Sequence, residues 1–473
     1  MRPSLVVAGL AVHLFATASD LAIADARWSR VTRAPDEARL MISWNNAWHD
    51  ARNHDGAWVA LRYTGSGEMH PYSVPALIAD AGHQVLSGPT GTTITVSQDQ
   101  VGFWLVPPEG HRGPFRCVVL MKLDDEGLYD QVRDMDQRTL TAHGLEMVFV
   151  PQGAFWIGDP AQEAIGSGAF YGLPSTTKTL MPYNVQQEAA PIEVGKEGGI
   201  AYTMDENGYR GDGAGPIPAT FPKGVAAFWV MKYELTQGQY ADFLNDLPRL
   251  ATYLRSPTSG RDYVQEGGSI VCENGVYRAQ HPERSCALLS WDDLAGFADW
   301  IGLRPMTELE FEKACRGPGE PKPLEYPWNT SSRERLKRKL DPMRVRVYAD
   351  GLSESLLDST NRDVFGVSYY GAFDLSGNVW ERCITVGDST GRAFTGTHGD
   401  GNLGPGGTAT NPDWPKGDVM APGIGFRGGA FYGTDEPHPN TNPYSPIGYR
   451  TYAGWGGAYR YKTYSARFVR TVE

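Results

Sequence analysis

The feature that most constrains this chain is its C-terminal third. After Gly317 the 473-residue sequence continues to its end with almost no helical periodicity, and Gly, Asn and aromatic residues separate short apolar runs. A compact domain rarely contains a structureless loop of more than about 15 residues. Side chains of this segment, bound ions, or both must therefore hold it in place.

Three helices are predicted before that segment, each from a capping box at its N-terminus. The boxes are Thr236-Gln-Gly-Gln239, Ser290-Trp-Asp-Asp293 and Thr307-Glu-Leu-Glu310. In each box a hydroxyl and an acidic or amide side chain satisfy backbone N–H groups reciprocally, and an apolar stripe follows.

The N-terminal region has the pattern of short β-strands. Runs rich in β-branched and aromatic residues are separated by Gly, Pro, Asn and Asp clusters. They are Arg39–Trp44, Ala57–Tyr63, Thr92–Val96, Val101–Val106 and Phe115–Met121. Five such strands predict a small β-sandwich over residues 27–135, followed by a second domain over residues 143–473.

The first 26 residues have the pattern of a secretory signal peptide. Leu5 to Thr17 is mostly apolar but too short to span a bilayer, and Ala24-Asp25-Ala26 offers a cleavage site. Ala16-Thr17-Ala18 offers an earlier one. No later segment reaches about 18 unbroken apolar residues. We therefore expect a protein that is secreted, periplasmic or on the cell surface, and not an integral membrane protein.

Charge and cysteine content limit the function classes. Lys and Arg number 43 against 55 Asp and Glu, a net charge of −12, so a nucleic-acid partner is not expected. The five cysteines are too few for a disulfide scaffold. Cys272 and Cys286 could form one bridge after export, and closing a loop of about 15 residues would stabilise the fold by roughly 3 kcal/mol. Cys315 and Cys383 are interpreted as buried apolar residues.

The order of motifs after residue 143 resembles the formylglycine-generating, or sulfatase-modifying-factor, family. The motifs are Met147–Gly158, Met231–Leu244, Leu289–Asp293, Gly302–Gly317, Tyr326–Trp328, Gly371–Glu381, Phe426–Phe431 and Ala466–Val469. The resemblance implies a loop-rich α+β fold of C-type-lectin-like ancestry with structural calcium. It does not extend to the predicted sandwich.

Calcium is expected at the turn Ser376-Gly377-Asn378-Val379-Trp380-Glu381, which matches a calcium-binding turn of the family. Carbonyl groups of Ser376, Gly377 and Val379 and the carboxylate of Glu381 would supply oxygen ligands. Asp350 occupies the position of a second calcium loop. The alternative is a calcium-free turn with Trp380 in the core.

Family catalysis, as the resemblance implies it, uses copper bound by two cysteines a few residues after an Arg-Gly-Gly-Ser turn. Here that turn is Arg427-Gly428-Gly429-Ala430, and the cysteine positions fall near Gly433 and His438. The last cysteine of the chain is Cys383. Copper is therefore not expected, and no catalytic residue is assigned.

A sister branch of the family uses non-heme iron held by three histidines. Its helical ligand domain has no counterpart in this sequence. The histidines after residue 140 are His143, His281, His398 and His438. A two-histidine, one-carboxylate iron site with His398 or His438 stays open as an alternative, although iron is not expected.

The last part of the chain is rich in aromatic residues with interleaved arginines. Family members line their substrate cleft with this part. The candidate ligand-binding residues are Arg427, Tyr432, Arg450, Trp455, Tyr459 and Arg460. They could hold a glycan or a peptide, or they could fill the core of a loop-rich fold. The leading hypothesis is a non-catalytic binding or structural module, with an extracellular protein or glycan as its ligand. The alternative is an oxidoreductase with an unrecognised metal site, and no oligomeric state is indicated.

Overall fold

The computed structural model describes residues 20–30, 35–66, 71–124, 139–174, 181–260, 263–337, 339–341, 346–348, 357–431 and 444–472. The strands of the N-terminal half are β1 (Ala22–Arg30), β2 (Pro35–Trp48), β3 (Asp55–Ser66), β4 (Pro71–Pro75), β5 (Gln84–Ser87), β6 (Thr93–Val96), β7 (Gly102–Val106), β8 (Arg112–Lys122), β9 (Thr139–Val150), β10 (Phe155–Ile157), β11 (Tyr171–Gly172), β12 (Tyr183–Val185), β13 (Ile200–Ala201) and β14 (Phe228–Met231). The later strands are β15 (Ile270–Glu273), β16 (Val276–Ala279), β17 (Arg304–Pro305), β18 (Lys339–Asp341), β19 (Arg346–Tyr348), β20 (Trp380–Ile384), β21 (Ile424–Arg427), β22 (Tyr464–Ser465) and β23 (Phe468–Thr471).

The helices are short, and the fold is α+β, as predicted. They are α1 (Gln162–Gly166), α2 (Gln237–Asp246), α3 (Arg249–Arg255), α4 (Trp291–Trp300), α5 (Glu308–Arg316), α6 (Arg362–Phe365) and α7 (Ser389–Arg392). None of the helices in these ranges is long and apolar enough to cross a membrane.

All three predicted capping boxes are formed. Thr236, Ser290 and Thr307 each accept the N–H of the third residue of α2, α4 and α5, and that residue's side chain accepts the N–H of the cap. Gly317 ends α5 with φ 75°, a conformation that favours glycine. Local sequence thus determines where these helices begin.

The predicted sandwich consists of two sheets with one apolar core between them. The first sheet has the order β1-β2-β8-β5, and the second has the order β17-β23-β14-β9-β3-β7-β6 with β4 beside β3. Leu40 and Ile42 from the first sheet meet Val59 and Leu61 from the second in this core. Period-two alternation along each strand places these residues inside.

The second sheet continues from the sandwich into the rest of the chain. Strand β9 pairs with β3 on one side and with β14 on the other. On β3, Val59 faces the sandwich core, whereas Trp58 and Ala60 face a separate core that contains α2 and α4. The predicted boundary between residues 135 and 143 therefore does not separate two independent sheets, because β9 is common to both parts.

The contacts of strand β1 differ in what the two candidate signal-cleavage sites would leave of them. Ala22, Ile23 and Ala24 pair with Ser43, Ile42 and Met41 of β2. Asp20 also accepts the N–H of Asn45 at 2.9 Å. Cleavage after Ala26 would remove these contacts, whereas cleavage at the earlier site, after Ala18, would keep them.

A buried ionic cluster joins the sandwich to the segment that follows β14. Lys232 Nζ lies 3.1 Å from Asp55 Oδ2 and 2.9 Å from Glu146 Oε2, and it lies over the ring of Trp48. All three charged side chains are almost inaccessible to solvent. Burial raises the pKa of Asp55 to about 6, although Lys232 opposes that shift.

This pKa predicts a pH dependence of stability that depends on Asp55. Because the folded-state pKa lies above the ordinary aspartate value of 3.8, the folded protein binds the Asp55 proton more tightly than the unfolded chain does. Stability from this group is present below pH 4 and is lost as pH rises through 6. At about 1.36 kcal/mol per pKa unit, the loss amounts to about 3 kcal/mol.

The measurement is urea unfolding of the wild type and Asp55→Asn from pH 4 to pH 7. The free-energy difference between the two proteins is expected to change by about 3 kcal/mol over that range and then to level off. Glu320→Gln, at an exposed glutamate shortly after α5, serves as the control. Parallel pH profiles for the wild type and Asp55→Asn would contradict the prediction.

Side chains of α4 and α5, which precede the long C-terminal segment, hold it in place together with that segment's own arginines. Asp299 of α4 accepts the N–H groups of Asp400 and Thr410 at 3.0 and 2.8 Å. Glu308 of α5 accepts the N–H of Val386 at 2.9 Å and also binds two arginines from the end of the chain. Buried carboxylates therefore supply the order that regular secondary structure does not.

Candidate functional site

The candidate site is built around β20, which lies between β21 (antiparallel) and β22 (parallel). The predicted calcium turn leads into β20, and the Arg-Gly-Gly turn follows β21. Gly377 and Asn378 both have positive φ, at 96° and 61°. Two successive left-handed residues make the sharp reversal that starts the strand, and Asn is among the few side chains that tolerate it.

Glu234, which was not among the predicted site residues, stabilises this turn through hydrogen bonds. Its carboxylate accepts hydrogen bonds from the N–H of Val379, the amide of Asn378 and the hydroxyl of Ser285. Burial raises the pKa of Glu234 well above its usual range, and the nearby Asp374 and Glu381 raise it further. Glu234 lies just after β14 within the motif Met231–Leu244, and that motif was the signal in the sequence.

Glu381, the predicted calcium carboxylate, forms an ion pair with Arg467. Both carboxylate oxygens accept N–H groups of this guanidinium at 2.6–2.9 Å. Neither side chain is exposed to solvent. A divalent cation bound to Glu381 would lie against a positive charge, so the residues as arranged do not fit calcium at this carboxylate.

The rest of the predicted calcium turn forms hydrogen bonds with other parts of the same chain. The hydroxyl of Ser376 donates to the carbonyl of Ser445 at 2.8 Å, and Gly377 N–H donates to Gly428 O at 2.9 Å. Asp350 lies outside the described residues. Within the described ranges, no group of three or more His, Cys, Asp and Glu side chains is arranged to hold a metal ion.

Arg427 and Arg450, both predicted to bind a ligand, lie in the core, and that prediction is wrong in this arrangement. Arg427 donates to Glu308 at 3.1 Å and to Glu312 at 2.9 Å. Arg450 donates to both oxygens of Glu308 at 2.7 and 2.9 Å, and its guanidinium lies 4.0 Å from the ring centre of Phe170. Burial opposes ionisation of Glu308, but Arg450 and Arg427 lower its pKa overall.

The other four predicted ligand residues have three different outcomes. Arg460 forms two hydrogen bonds with Asp293, at 2.6 and 3.0 Å, so its guanidinium is engaged within the fold. Trp455 and Tyr459 are partly exposed, and Tyr459 is 40% accessible. Tyr432 lies outside the described residues.

Trp455 and Tyr459 belong to a group of four aromatic side chains, which we call the aromatic face. We define it as Tyr209, Tyr452, Trp455 and Tyr459. The Tyr209 and Trp455 rings meet edge to face at 4.9 Å, and the Tyr209 and Tyr452 rings lie 5.7 Å apart. Tyr209, which comes from the Gly-rich segment before β14, was missed because that segment has no periodicity. Such a surface can pack against sugar rings or apolar side chains.

The predicted disulfide is absent from the structure. Cys272 and Cys286 are both free thiols, the first exposed on β15 and the second buried. Cys272 pairs across the hairpin with Tyr277, whereas Cys286 N–H donates to Leu235 O in the core. Cys272 therefore lies on an exposed hairpin and Cys286 lies in the core, and the two thiols are not bonded to each other.

The alternative iron site is not assembled in the described part of the chain. His398 Nε2 accepts the N–H of Thr471 at 3.0 Å, which uses one ring nitrogen within the fold. His143 Nε2 lies 3.2 Å from Asp246. His438, Gly433 and the rest of the segment expected to carry the family's thiols lie outside the described residues.

The fold and the capped helices around β20 define a loop-rich α+β domain of the sulfatase-modifying type. The family model of the sulfatase-modifying factor enzyme 1-like domain matches residues 177–428, more than half of the chain. The chain therefore belongs to this family.

Three curated relatives are named formylglycine-generating enzyme. The one from Thermomonospora curvata is 25% identical over 230 residues, which are 43% of this chain and 74% of the relative. The mouse protein is 29% identical over 107 residues, 22% of this chain and 27% of the relative. The Bos taurus protein is 23% identical over 210 residues, 38% of this chain and 54% of the relative. The chain thus spans only part of the length of each relative.

Proposed function

We propose that this protein is an exported, non-catalytic binding module built on the sulfatase-modifying-factor fold. The state of its thiols carries the proposal. Burial raises the pKa of Cys117 to about 11 and raises the pKa of Cys286, Cys315 and Cys383 well above the usual range. A reactive cysteine needs a lowered pKa and access to substrate, and these four have neither.

Copper chemistry of the family's kind does not fit the residues present. The fifth thiol, Cys272, lies exposed on the β15–β16 hairpin rather than beside the Arg-Gly-Gly turn. The two positions expected to carry thiols after that turn are Gly433 and His438. Soft thiolate ligands select Cu(I), and neither position supplies one.

The aromatic face supports binding of an extracellular glycan or protein. Tyr459 is 40% accessible and the other three rings are partly exposed, whereas Arg427, Arg450 and Arg460 form internal ion pairs. Tyr and Trp present large, rigid contact surfaces at low entropic cost, which favours their use in recognition.

The test is incubation of the purified protein with a Cys-x-Pro-x-Arg peptide, oxygen and a reductant, with and without copper. We expect no conversion of the cysteine to an aldehyde, read by mass spectrometry of the peptide. The Thermomonospora curvata relative, treated identically, controls for the assay. Conversion of the peptide by the unmodified chain would contradict the proposal.

Export is proposed from the N-terminal segment, with cleavage after Ala18 rather than after Ala26. This choice keeps Asp20 and the paired residues of β1 in the folded protein. Intact-mass measurement of the exported protein is expected to give Ser19 as the first residue. A mature protein that begins at Arg27, or full-length protein retained in the cytoplasm, would contradict it.

A further inference from the structure

A cavity of about 450 Å³ lies between the sandwich and the family domain, beside Trp48. Residues 50–53 and Arg112 form one wall, and residues 357–359, Arg362 and residues 367–371 form the other. The first wall lies outside residues 177–428, which match the family. The family fold alone therefore does not produce this cavity.

The two walls are tied together by direct bonds. The side-chain amide of Asn53 donates to Tyr369 O at 2.9 Å. Arg112 donates from Nη2 to the carbonyl of Leu357. These bonds fix the cavity's shape, which lowers the entropic cost of binding a ligand there.

Three arginines and two aspartates line this cavity, and the aspartates already have partners. Asp50 Oδ1 accepts the N–H groups of Arg52 and Asn53, both at 2.8 Å. Asp358 Oδ1 accepts the N–H and hydroxyl of Thr360 at 2.7 and 2.6 Å. Both carboxylates thus stabilise their own loops.

Arg362 is the partly buried arginine of this cavity, whereas Arg52 and Arg112 are exposed. Its guanidinium carbon lies 5.1 Å from the ring centre of Tyr369, and the side chain is only partly exposed. Burial lowers the pKa of Arg362, and the nearby Tyr369 partly offsets this shift. In the ranges that the structure describes, no carboxylate pairs with this guanidinium and no acceptor takes its N–H groups.

A guanidinium held over an aromatic ring still presents N–H groups along its edge. That planar fork matches the two oxygens of a carboxylate or phosphate. Partial burial strengthens such a pair relative to one in open water. The position of Arg362 at the cavity wall therefore favours an anionic occupant.

We propose that this cavity binds a small ligand carrying an oxyanion, with Arg362 as its main donor. A volume of about 450 Å³ is within the range of roughly 300–1,000 Å³ for ligand sites, and it leaves room for more than a bare oxyanion. The rest of the ligand would contact Tyr369 and Tyr370. This site is separate from the aromatic face and does not depend on the proposed function.

The experiment is calorimetric titration of the exported protein with sodium glucuronate and, separately, with inorganic phosphate, at constant ionic strength. We expect saturable binding of at least one probe. Arg362→Gln is expected to weaken it about tenfold or more, because a hydrogen-bonded charge pair is lost. Arg249→Gln, at an exposed arginine of α3 that does not line the cavity, is the control and should bind like the wild type.

The two probes distinguish the source of the oxyanion. Tighter binding of glucuronate supports a sugar acid whose ring contacts the tyrosines, and equal binding supports recognition of the oxyanion alone. Arg362→Lys keeps the charge but loses the fork, and it is expected to bind more weakly while melting like the wild type. Absence of saturable binding by either probe, or undiminished binding by the folded Arg362 variants, would overturn the proposal.

Discussion

Glu308→Gln is expected to lower the free energy of unfolding by about 3–5 kcal/mol, the usual cost of removing one partner from a buried ion cluster. Glu308 binds Arg427 through one carboxylate oxygen and Arg450 through both, and all three side chains are 0–1% exposed. The amide would leave excess positive charge in the core. It would also loosen the C-terminal segment, because the hydroxyl of Thr385 and the N–H of Val386 donate to the same carboxylate.

Urea unfolding of the two proteins measures this effect. Glu320→Gln, an exposed glutamate shortly after α5, is the matched control and should change stability by less than about 0.5 kcal/mol. A Glu308→Gln protein as stable as the wild type would show that Arg427 and Arg450 do not depend on this carboxylate. The original expectation that the two arginines face a ligand would then regain support.

Glu381→Gln is expected to destabilise the fold by a similar amount, about 3–5 kcal/mol, and to do so whether or not calcium is present. The substitution leaves Arg467 buried without its bidentate partner. Glu234 and Asp374 also lie near this arginine and would moderate the effect. Because both oxygens of Glu381 already accept N–H groups, we expect the melting temperatures of the wild type and the variant to be indifferent to calcium and to chelator at this site.

The measurement is thermal unfolding of wild type, Glu381→Gln and the exposed control Glu273→Gln, each with added calcium and with chelator. A ligand bound only to the folded state raises stability by about 2.7 kcal/mol at a hundredfold excess over Kd, so calcium binding would be visible. Stabilisation by calcium in the wild type that disappears in Glu381→Gln would restore the calcium ligand set predicted from the sequence.

The expected stability losses of Glu308→Gln and Glu381→Gln both come from buried charges, and the hydrophobic periodicity of the sequence does not reveal which charges are buried. The chain places acidic residues on α5 and at the start of β20, and it places arginines in the last strands and loops. Surface pairs of this kind contribute little, whereas buried pairs are costly to break. The family domain thus depends on charge clusters for the order that short helices and strands provide only in part.

The sequence alone determined three of the helices and most of the sandwich strands. Thr236, Ser290 and Thr307 begin their helices because a capping box is a local arrangement of four residues, and local bonds do not need tertiary context. The alternation in β3 likewise follows from the strand period of two. The order of motifs was sufficient to identify the family.

Tertiary structure decided which charged residues meet. Arg427 and Glu308 are 119 positions apart, and Glu381 and Arg467 are 86 apart. Nothing in their local sequence distinguishes an arginine that faces a ligand from one that neutralises a buried carboxylate, because both roles need the same guanidinium. The cavity beside Arg362 also arose only when two remote segments came together. Long-range packing sets the burial and the partners of each charge, and those determine whether it stabilises the fold or binds a ligand.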